Sequence, residues 1–441
     1  MNNRQSILET SIEIPEDFDL NEEFQNACNL IEYTDKNVFI TGNAGTGKST
    51  LLHYFKSKTN KNVVVLAPTG VAAIKARGQT IHSFFRFPPR LVIKENIRRI
   101  KSAIIKKVDA IIIDEASMVR ADLLDGIDHS LRISRESNIP FGGAQVVLFG
   151  DLFQLAPVVD KDMQSVMGKL YKSPYFFSAE VMKEADFEHI ELTKIYRQHQ
   201  TDFINLLNRV RVKQIDDADL NTLNTRVDSD ITHDGGGVIT LTSTNKQADM
   251  INSRCLARIR EPEYRYEARI WGEFNVDRKT FPADVVLRLK KGAQVMMTKN
   301  DASRRWVNGT LAEVVALNDD FIRVNINSNM YEVAKDKWEK IEYVFNSMEN
   351  KIEEEVIGGF EQYPIRLAWA VTIHKSQGQN FNKVIIDLGD GAFSHGQTYV
   401  ALSRCTSFEG ITLKQPVIHS DIIFDSRVYR FRKKLSKSAN S

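Results

Sequence analysis

Apolar residues in this chain gather into short runs of four or five, closed off by glycine or polar residues: 38–41, 63–67, 110–113, 146–149, 238–241 and 384–388. The runs are rich in Val and Ile, the composition of strands buried on both faces of a parallel sheet. Stretches with helical spacing lie between them, among them 50–58 and 203–212. Strand and helix alternating in this way predict a doubly wound α/β fold. Two regions break the rhythm. Residues 82–108 carry Pro88-Pro89 and then a run of bases, Arg90, Lys94, Arg98, Arg99, Lys101, Lys106 and Lys107. Residues 300–362 read as short alternating strands joined by the turn pairs Asn308-Gly309 and Asn318-Asp319, the texture of a small all-β insert. The apolar stretch 367–371, leading through Thr372-Ile373-His374-Lys375 to Gly378, is predicted as a helix with a polar end.

Composition narrows the class without naming a function. At roughly 150 residues per domain, 441 residues make two to four domains. A hydrophobic share of 42% is enough for a real core and excludes a wholly disordered chain. Cys28, Cys255 and Cys405 are far apart and odd in number, which suits a reducing compartment and argues against a disulfide framework or a zinc cluster. No apolar run approaches the ~20 residues that span a bilayer, and the polar, acidic residues 1–19 lack a secretory core, so no membrane partner and a cytoplasmic, nucleoid-associated location are expected. Net charge is only +2, so bulk charge does not announce a nucleic-acid partner. The ends differ in sign. Residues 1–21 read as an acidic, flexible arm; 426–441 carry Arg427, Arg430, Arg432, Lys433, Lys434 and Lys437, a basic tail that either holds phosphates or is simply solvated.

The chemistry begins at residues 42–49, where Gly42, Asn43, Ala44, Gly45, Thr46, Gly47, Lys48 and Ser49 complete the pattern G-x-x-x-x-G-K-[ST] between a predicted strand and a predicted helix that opens at Thr50. The glycines let successive N–H groups turn inward as an anion nest, and the helix N-terminus adds its dipole. Lys48 is placed to reach the β- and γ-phosphates, and the Ser49 hydroxyl to ligate Mg²⁺. A nucleotide site that hydrolyses also needs carboxylates. The run Ile111-Ile112-Ile113 ends in Asp114 and Glu115, the first suited to Mg²⁺ through its water shell, the second to orienting and deprotonating the attacking water. A guanine-reading Asn-Lys-x-Asp is missing. The nearest match, Asn245-Lys246-Gln247-Ala248-Asp249, places its acid one residue late, which leaves an ATP-driven hydrolase.

Further motifs follow in order: 66–73 (LAPTGVAA), 80–85 (TIHSFF), 149–157 (FGDLFQLAP), 192–198 (LTKIYRQ), 372–378 (TIHKSQG) and 399–404 (YVALSR). The ordered set resembles the superfamily 1 DNA helicases of the 5′→3′ branch that includes RecD and Dda, and within that branch the Pif family in its short bacterial form. The resemblance covers about residues 22–415. It implies two RecA-like domains with parallel sheets, residues 22–190 with a small wedge insert at about 82–108, and 191–425 with a small β-barrel insert at about 300–362. It implies ATP and Mg²⁺ in the cleft between them. Gln154 would sense the γ-phosphate, Arg197 and Arg404 would act as arginine fingers, and Gly378 would join the nucleotide site. Gln25 matches the glutamine that reads adenine, although Phe24 precedes it where the family often carries Glu, and a helix-surface role fits Gln25 as well. For DNA, the resemblance points to Pro68, Thr69, Gly70, His82 and Phe84 in the first domain and His374, Lys375 and Ser376 in the second, grips on a sugar-phosphate chain that read no bases. The function it implies is an ATP-dependent helicase, stimulated by single-stranded DNA and moving 5′→3′ on forked or 5′-tailed duplexes or G-quadruplexes. It would act as a monomer without an obligatory protein partner, in repair, recombination or telomere maintenance. A translocase that does not unwind, and the ATPase subunit of a nuclease complex, remain as alternatives.

Overall fold

The structure, a computed structural model, describes residues 20–88, 90–159, 161–196, 200–231, 237–274, 281–319 and 321–438. Its first lobe is built on β1 (Asn37–Gly42), β2 (Val63–Ala67), β3 (Gln79–Thr80), β4 (Ala110–Ile113), β5 (Gln145–Phe149) and β6 (Phe187–Leu192). They pair in parallel in the order β3-β2-β4-β5-β1-β6. Side chains alternate between its faces. Val38 and Ile40 of β1 pack with Phe24, Ala27 and Ile31 of α1 (Glu22–Tyr33) and with Leu51, Leu52 and Phe55 of α2 (Lys48–Lys58). Phe39, between them, faces the opposite core, closed by α4 (Ile81–Phe85), α5 (Ala103–Lys107) and α6 (Ala121–Arg135), while α3 (Gly70–Lys75) follows β2. Apolar Leu123, Leu124, Ile127 and Leu131 recur at helical spacing along α6 and are all buried, each contributing about 1.5–3 kcal/mol by leaving water. The helix α7 (Lys161–Leu170) follows β5.

Residues 82–108 are sewn to this lobe. Phe85, Phe87, Val92, Ile105 and Val108 are buried, Val92 N donates to Asp122 Oδ2 at 2.9 Å, and Ile100 N donates to Ser134 Oγ at 3.0 Å. The bases that marked the segment stay exposed around this anchored core.

A second lobe follows, with α8 (Thr201–Arg211) and α9 (Asp217–Asn224), then β7 (Ile239–Thr242) and α10 (Asn245–Arg258). The chain next builds a long antiparallel excursion: β8 (Tyr264–Glu267), β9 (Arg269–Gly272), β10 (Val286–Leu289), β11 (Gln294–Met297), β12 (Leu311–Leu317), β13 (Ile322–Ile326), β14 (Asn329–Val333), β15 (Asp336–Asn346), β16 (Lys351–Gln362) and β17 (Ile365–Leu367). It returns through β18 (Ala370–Thr372), β19 (Val384–Asp387), α11 (Gln397–Leu402) and β20 (Ile411–Leu413), completing a parallel sheet of order β18-β7-β19-β20. The excursion forms a five-stranded sheet, β14-β13-β12-β11-β17, and a three-stranded one, β15-β16-β9. The hairpin β15-β16 reaches the first lobe. Tyr343 OH accepts from Val65 N at 3.1 Å, Ile341 O accepts from Gln79 Nε2 at 2.5 Å, and Lys56 pairs with Glu354 at 2.6 Å.

Three sequence expectations change. The β insert is wider than 300–362, because β8 to β11 precede it and β17 closes its larger sheet. The apolar stretch 367–371 is not helix: Leu367 ends β17, Ala368 and Trp369 lie between strands, and Ala370, Val371 and Thr372 form β18, pairing with Thr240, Leu241 and Thr242 of β7. A short buried apolar run has no periodicity to separate the two, and pairing to an existing sheet decides it. The basic tail is a helix, α12 (Ser426–Ser438), docked on the first lobe. Its Val428 is buried, Phe431 stacks on Phe177 with ring centroids 4.5 Å apart, and Arg432 pairs with Glu191 at 2.6 Å. The bases mask an apolar stripe that α12 lays against Phe39, Phe176 and Phe177. Phe431→Ala is expected to lower stability by about 2 kcal/mol in urea unfolding; an unchanged midpoint would mean that the helix is not docked in solution.

Candidate functional site

The loop after β1 carries the phosphate pattern. Gly45 and Gly47 sit at φ +87° and +83°, the left-handed region that favours glycine, and a Cβ on Gly47 would come within 2.9 Å of the Phe24 ring. Thr46 Oγ1 donates to Asn43 O at 3.0 Å, and Lys48 Nζ donates to Gly42 O and Asn43 O at 2.8 and 3.0 Å, so side chains of the motif set the curvature of its own backbone. Ser49 and Thr50 open α2 beside it.

Asp114 and Glu115 follow β4, whose four residues are all buried. Glu115 holds φ +52°, costly for a side-chain-bearing residue and characteristic of sites where orientation matters more than local comfort. Asp114 Oδ1 accepts from Glu115 N at 2.9 Å. Burial pushes both carboxyls upward. Asp114 is raised against the opposing charges of Lys75 and Lys48, and Glu115 is lifted to about 7 by burial first and the Asp114 charge second, with Lys75, Lys48 and Arg404 opposing.

These groups share one cavity of about 460 Å³. The first lobe supplies residues 44–50, Lys75, Asp114, Glu115, Gly150 and Gln154; the second supplies Gly378, Asn380 and Arg404. Phe24 and Tyr196 line it as well. Arg404 is buried, with Nε donating to Val400 O at 2.9 Å and Nη2 to Ser403 Oγ at 2.9 Å, which fixes the guanidinium in the wall. Gln377 Nε2 reaches across the lobes to both Glu115 Oε2 and Gln154 Oε1 at 3.1 Å. Gln154 Nε2 in turn donates to Asp151 Oδ2 at 3.2 Å. Arg197 lies outside the described residues; Tyr196 donates its N–H to Gly45 O at 2.9 Å, at the phosphate loop.

Gln25 is not in the cavity wall. It is exposed and donates to Leu20 O at 3.2 Å, because α1 turns Phe24, Ala27 and Ile31 inward and Gln25 falls on the outer face. Phe24 takes the inward position. The expected DNA grips also divide. Pro68, Thr69 and Gly70 stand at the C-terminal end of β2, with Thr69 Oγ1 capping α3 by accepting from Ala72 N at 3.2 Å. His82 is half-buried, with its proton affinity lowered by burial and by Arg120. Phe84 is half-buried against Phe85 and Tyr343. His374 and Lys375 lie just beyond β18, at the same end of the second sheet, and burial lowers both. Ser376 leaves the set: it is fully buried, and its hydroxyl donates to Ile373 O at 2.9 Å.

Sequence reasoning missed Lys75 and Gln377, together with Tyr399, whose hydroxyl accepts from Ala44 N at 3.2 Å, and Arg211, which pairs with Asp151 at 2.9 Å. Gln377 and Tyr399 lie inside quoted motifs, so their position was on view and only the role was not. Lys75 and Arg211 sit on helices, where a base reads as a solvated face. Among the described residues no group of His, Cys, Asp and Glu could hold a metal by itself, so a metal here needs phosphate oxygens to complete its shell. Asp114 and Ser49 fit that need: a buried carboxylate with one backbone donor, beside a hydroxyl in the same wall.

The family model for PIF1-like helicase matches residues 19–221, and that for the DNA helicase Pif1 2B domain matches 276–317. The chain is 33% identical over 433 residues to the ATP-dependent DNA helicase Pif1 of Bdellovibrio bacteriovorus, covering 95% of this chain and 92% of that protein. Against the longer mouse PIF1, 32% identical, it spans 60% of the relative's length. Unliganded Pif1 from a Bacteroides species superposes with a TM-score of 0.86 at 39% identity, over 95% of this chain and 97% of that one. The Bacteroides Pif1 bound to ssDNA superposes at 0.69 and 38% identity, over 96% and 99%. With the phosphate loop, the paired acids and the cross-lobe arginine already in one cavity, these matches place the chain in the family of PIF1-like helicases.

Proposed function

We propose that this protein is an ATP-dependent DNA helicase in which ATP hydrolysis, stimulated by single-stranded DNA, drives 5′→3′ movement and strand separation. The observation that carries the reading is the two-sided cavity: Lys48, Asp114, Glu115 and Gln154 come from one lobe and Gly378 and Arg404 from the other, with Gln377 of the second lobe bonded to Glu115 and Gln154. The backbone of residues 44–49 and Lys48 bind the β- and γ-phosphates. Ser49 and Asp114 would hold Mg²⁺, which would neutralise phosphate charge. Glu115 orients the attacking water and accepts its proton, Gln154 senses the γ-phosphate, and Arg404 together with Arg197 compensates the charge that builds on the transferring group. Loss of the γ-phosphate removes what the cross-lobe cations bind, so hydrolysis loosens one lobe from the other.

Pro68 to Gly70 and His374 with Lys375, at corresponding ends of the two parallel sheets, are the proposed holds on the DNA backbone, with His82 and Phe84 beside the first. Changing the separation of the lobes then changes the separation of the holds. The weaker superposition on the ssDNA-bound Bacteroides structure than on the unliganded one supports a rearrangement between lobes when DNA binds. The contact of Tyr343, Gln79 and Ile341 between hairpin and first lobe is where such a rearrangement would be felt. Duplexes with a 5′ single-stranded tail are the proposed substrates, and a monomer the proposed working unit.

Lys48→Ala and Glu115→Gln are expected to cut DNA-stimulated ATP turnover by about a hundredfold or more, read in a coupled ATPase assay with and without an oligonucleotide. Strand separation is expected on a 5′-tailed duplex and not on a 3′-tailed one; hydrolysis that ignores added DNA would remove the helicase reading. Glu115 also makes a pH prediction without nucleotide. Its folded-state value of about 7 lies above its ordinary 4.5, so the folded chain binds more protons than the unfolded chain between those limits. Stability therefore falls as pH rises through the window, and the cost is complete above it. Glu115→Gln is expected to be more stable than the wild type at about pH 8, read as a higher urea midpoint, and to lose that advantage at acid pH.

A further inference from the structure

The loop from Gly150 to Ala156 leaves the first sheet after β5, yet second-lobe and C-terminal residues surround it. His395 Nε2 lies 3.1 Å from Leu152 O, and a Cβ on Gly396 would collide with the carbonyls of Phe153 and Gln154. Phe153 is buried between the guanidinium groups of Arg211, 4.2 Å from the ring centroid, and Arg432, 5.7 Å away. Asp151, also buried, holds the turn together. Its Oδ1 accepts from Phe153 N at 3.1 Å and from Arg211 Nη2 at 2.9 Å, and its Oδ2 accepts from Gln154 Nε2 at 3.2 Å. The amide oxygen of Gln154 then meets Gln377, which also holds Glu115. A continuous path of polar contacts thus runs from Arg211 on α8 to the cavity.

Stability alone is a poor account of this pair. Taking two charges out of water costs about as much as their attraction returns. Arg211 Nε, moreover, is buried without a hydrogen-bond partner among the described residues. What the pair does achieve is geometric: a rigid, planar donor from the second lobe fixes the carboxylate against which the Gln154 side chain is set.

We infer that Arg211 is a positioning residue for ATP hydrolysis, holding Gln154 at the nucleotide through Asp151 and so tying the γ-phosphate sensor to the second lobe. The inference rests on the nucleotide site proposed above. It also makes Gln154 answerable to both lobes: when α8 shifts, Asp151 shifts with it, and the sensor leaves the cavity wall.

The test is a double-mutant cycle on the full chain. Arg211→Lys keeps the charge but loses the planar fork, and it is expected to lower kcat for DNA-stimulated ATP hydrolysis roughly tenfold to a hundredfold, while the KM for ATP stays within about twofold. Combining it with Gln154→Ala is expected to give no further loss beyond Gln154→Ala alone, because the first substitution acts through the second side chain. Asp151→Asn, which keeps the shape and removes the charge, is expected to fall in the same cycle. Arg211→Lys with wild-type kcat, Gln154→Ala with wild-type kcat, or losses that multiply in the combined variant would each overturn the inference. So would a drop in melting temperature at unchanged turnover per folded molecule, the signature of a purely structural pair. Lys48→Ala separates this from the larger reading. If Lys48→Ala still hydrolyses ATP, the nucleotide site itself is wrong; if it is inactive while Arg211→Lys is normal, only the role of Arg211 falls.

Discussion

Two carboxylates stand next to each other where β4 ends, and burial together with mutual repulsion makes it costly for both to be ionised. Most of the cavity is an answer to that constraint. Lys48 and Lys75 approach from the first lobe and favour both ionised acids, and Arg404 approaches from the second and favours ionised Glu115. A magnesium ion held by Asp114 and Ser49 would do more of the same. Because part of the compensating charge belongs to the other lobe, the electrostatics of the acids and the distance between lobes cannot vary independently. Chemistry at the phosphate and movement of the body are two readings of one balance.

The left-handed backbone at Glu115 fits the same picture. A side chain forced into that conformation is held by its surroundings rather than by its own preferences. The contact from Gln377 pins its carboxylate from the far lobe. Orientation of the acid is thereby shared between the strand that carries it and a neighbour more than 250 residues away in sequence, at position 377.

The parts of the site that were legible in the sequence are those whose chemistry is local. A phosphate nest needs glycines and a lysine at fixed offsets, and a strand that delivers two acids to a sheet edge must be apolar up to the edge; both appear as contiguous patterns. Parallel strands were legible for the same reason, since burial on both faces leaves uninterrupted Val and Ile. Roles set by distant partners were not legible. Arg211 reads as one more base on an amphipathic helix until Asp151 is placed beside it, and Ser376 reads as a phosphate donor until its hydroxyl is seen to donate to Ile373 O. The stretch 367–371 was ambiguous in kind: apolar residues without period become strand only because β7 offers an edge. Gln25 and Phe24 show how narrow the margin is, for one step along α1 moves a side chain about 100° around the helix and out of the pocket.

The docking of α12 has a mechanical consequence. The chain enters the second lobe after β6 and comes back before α12, whose Phe431 and Val428 are seated among first-lobe aromatics. The outer lobe is therefore tied to the inner one at both of its ends, and once the β15-β16 hairpin lets go of Val65 and Gln79 it hangs like a door on two pins. Such a body keeps a swing about the line through its attachments and loses most other freedoms. A motor gains from this, because random tumbling of one half against the other would waste each turnover, whereas a swing about a fixed line delivers the same displacement every time.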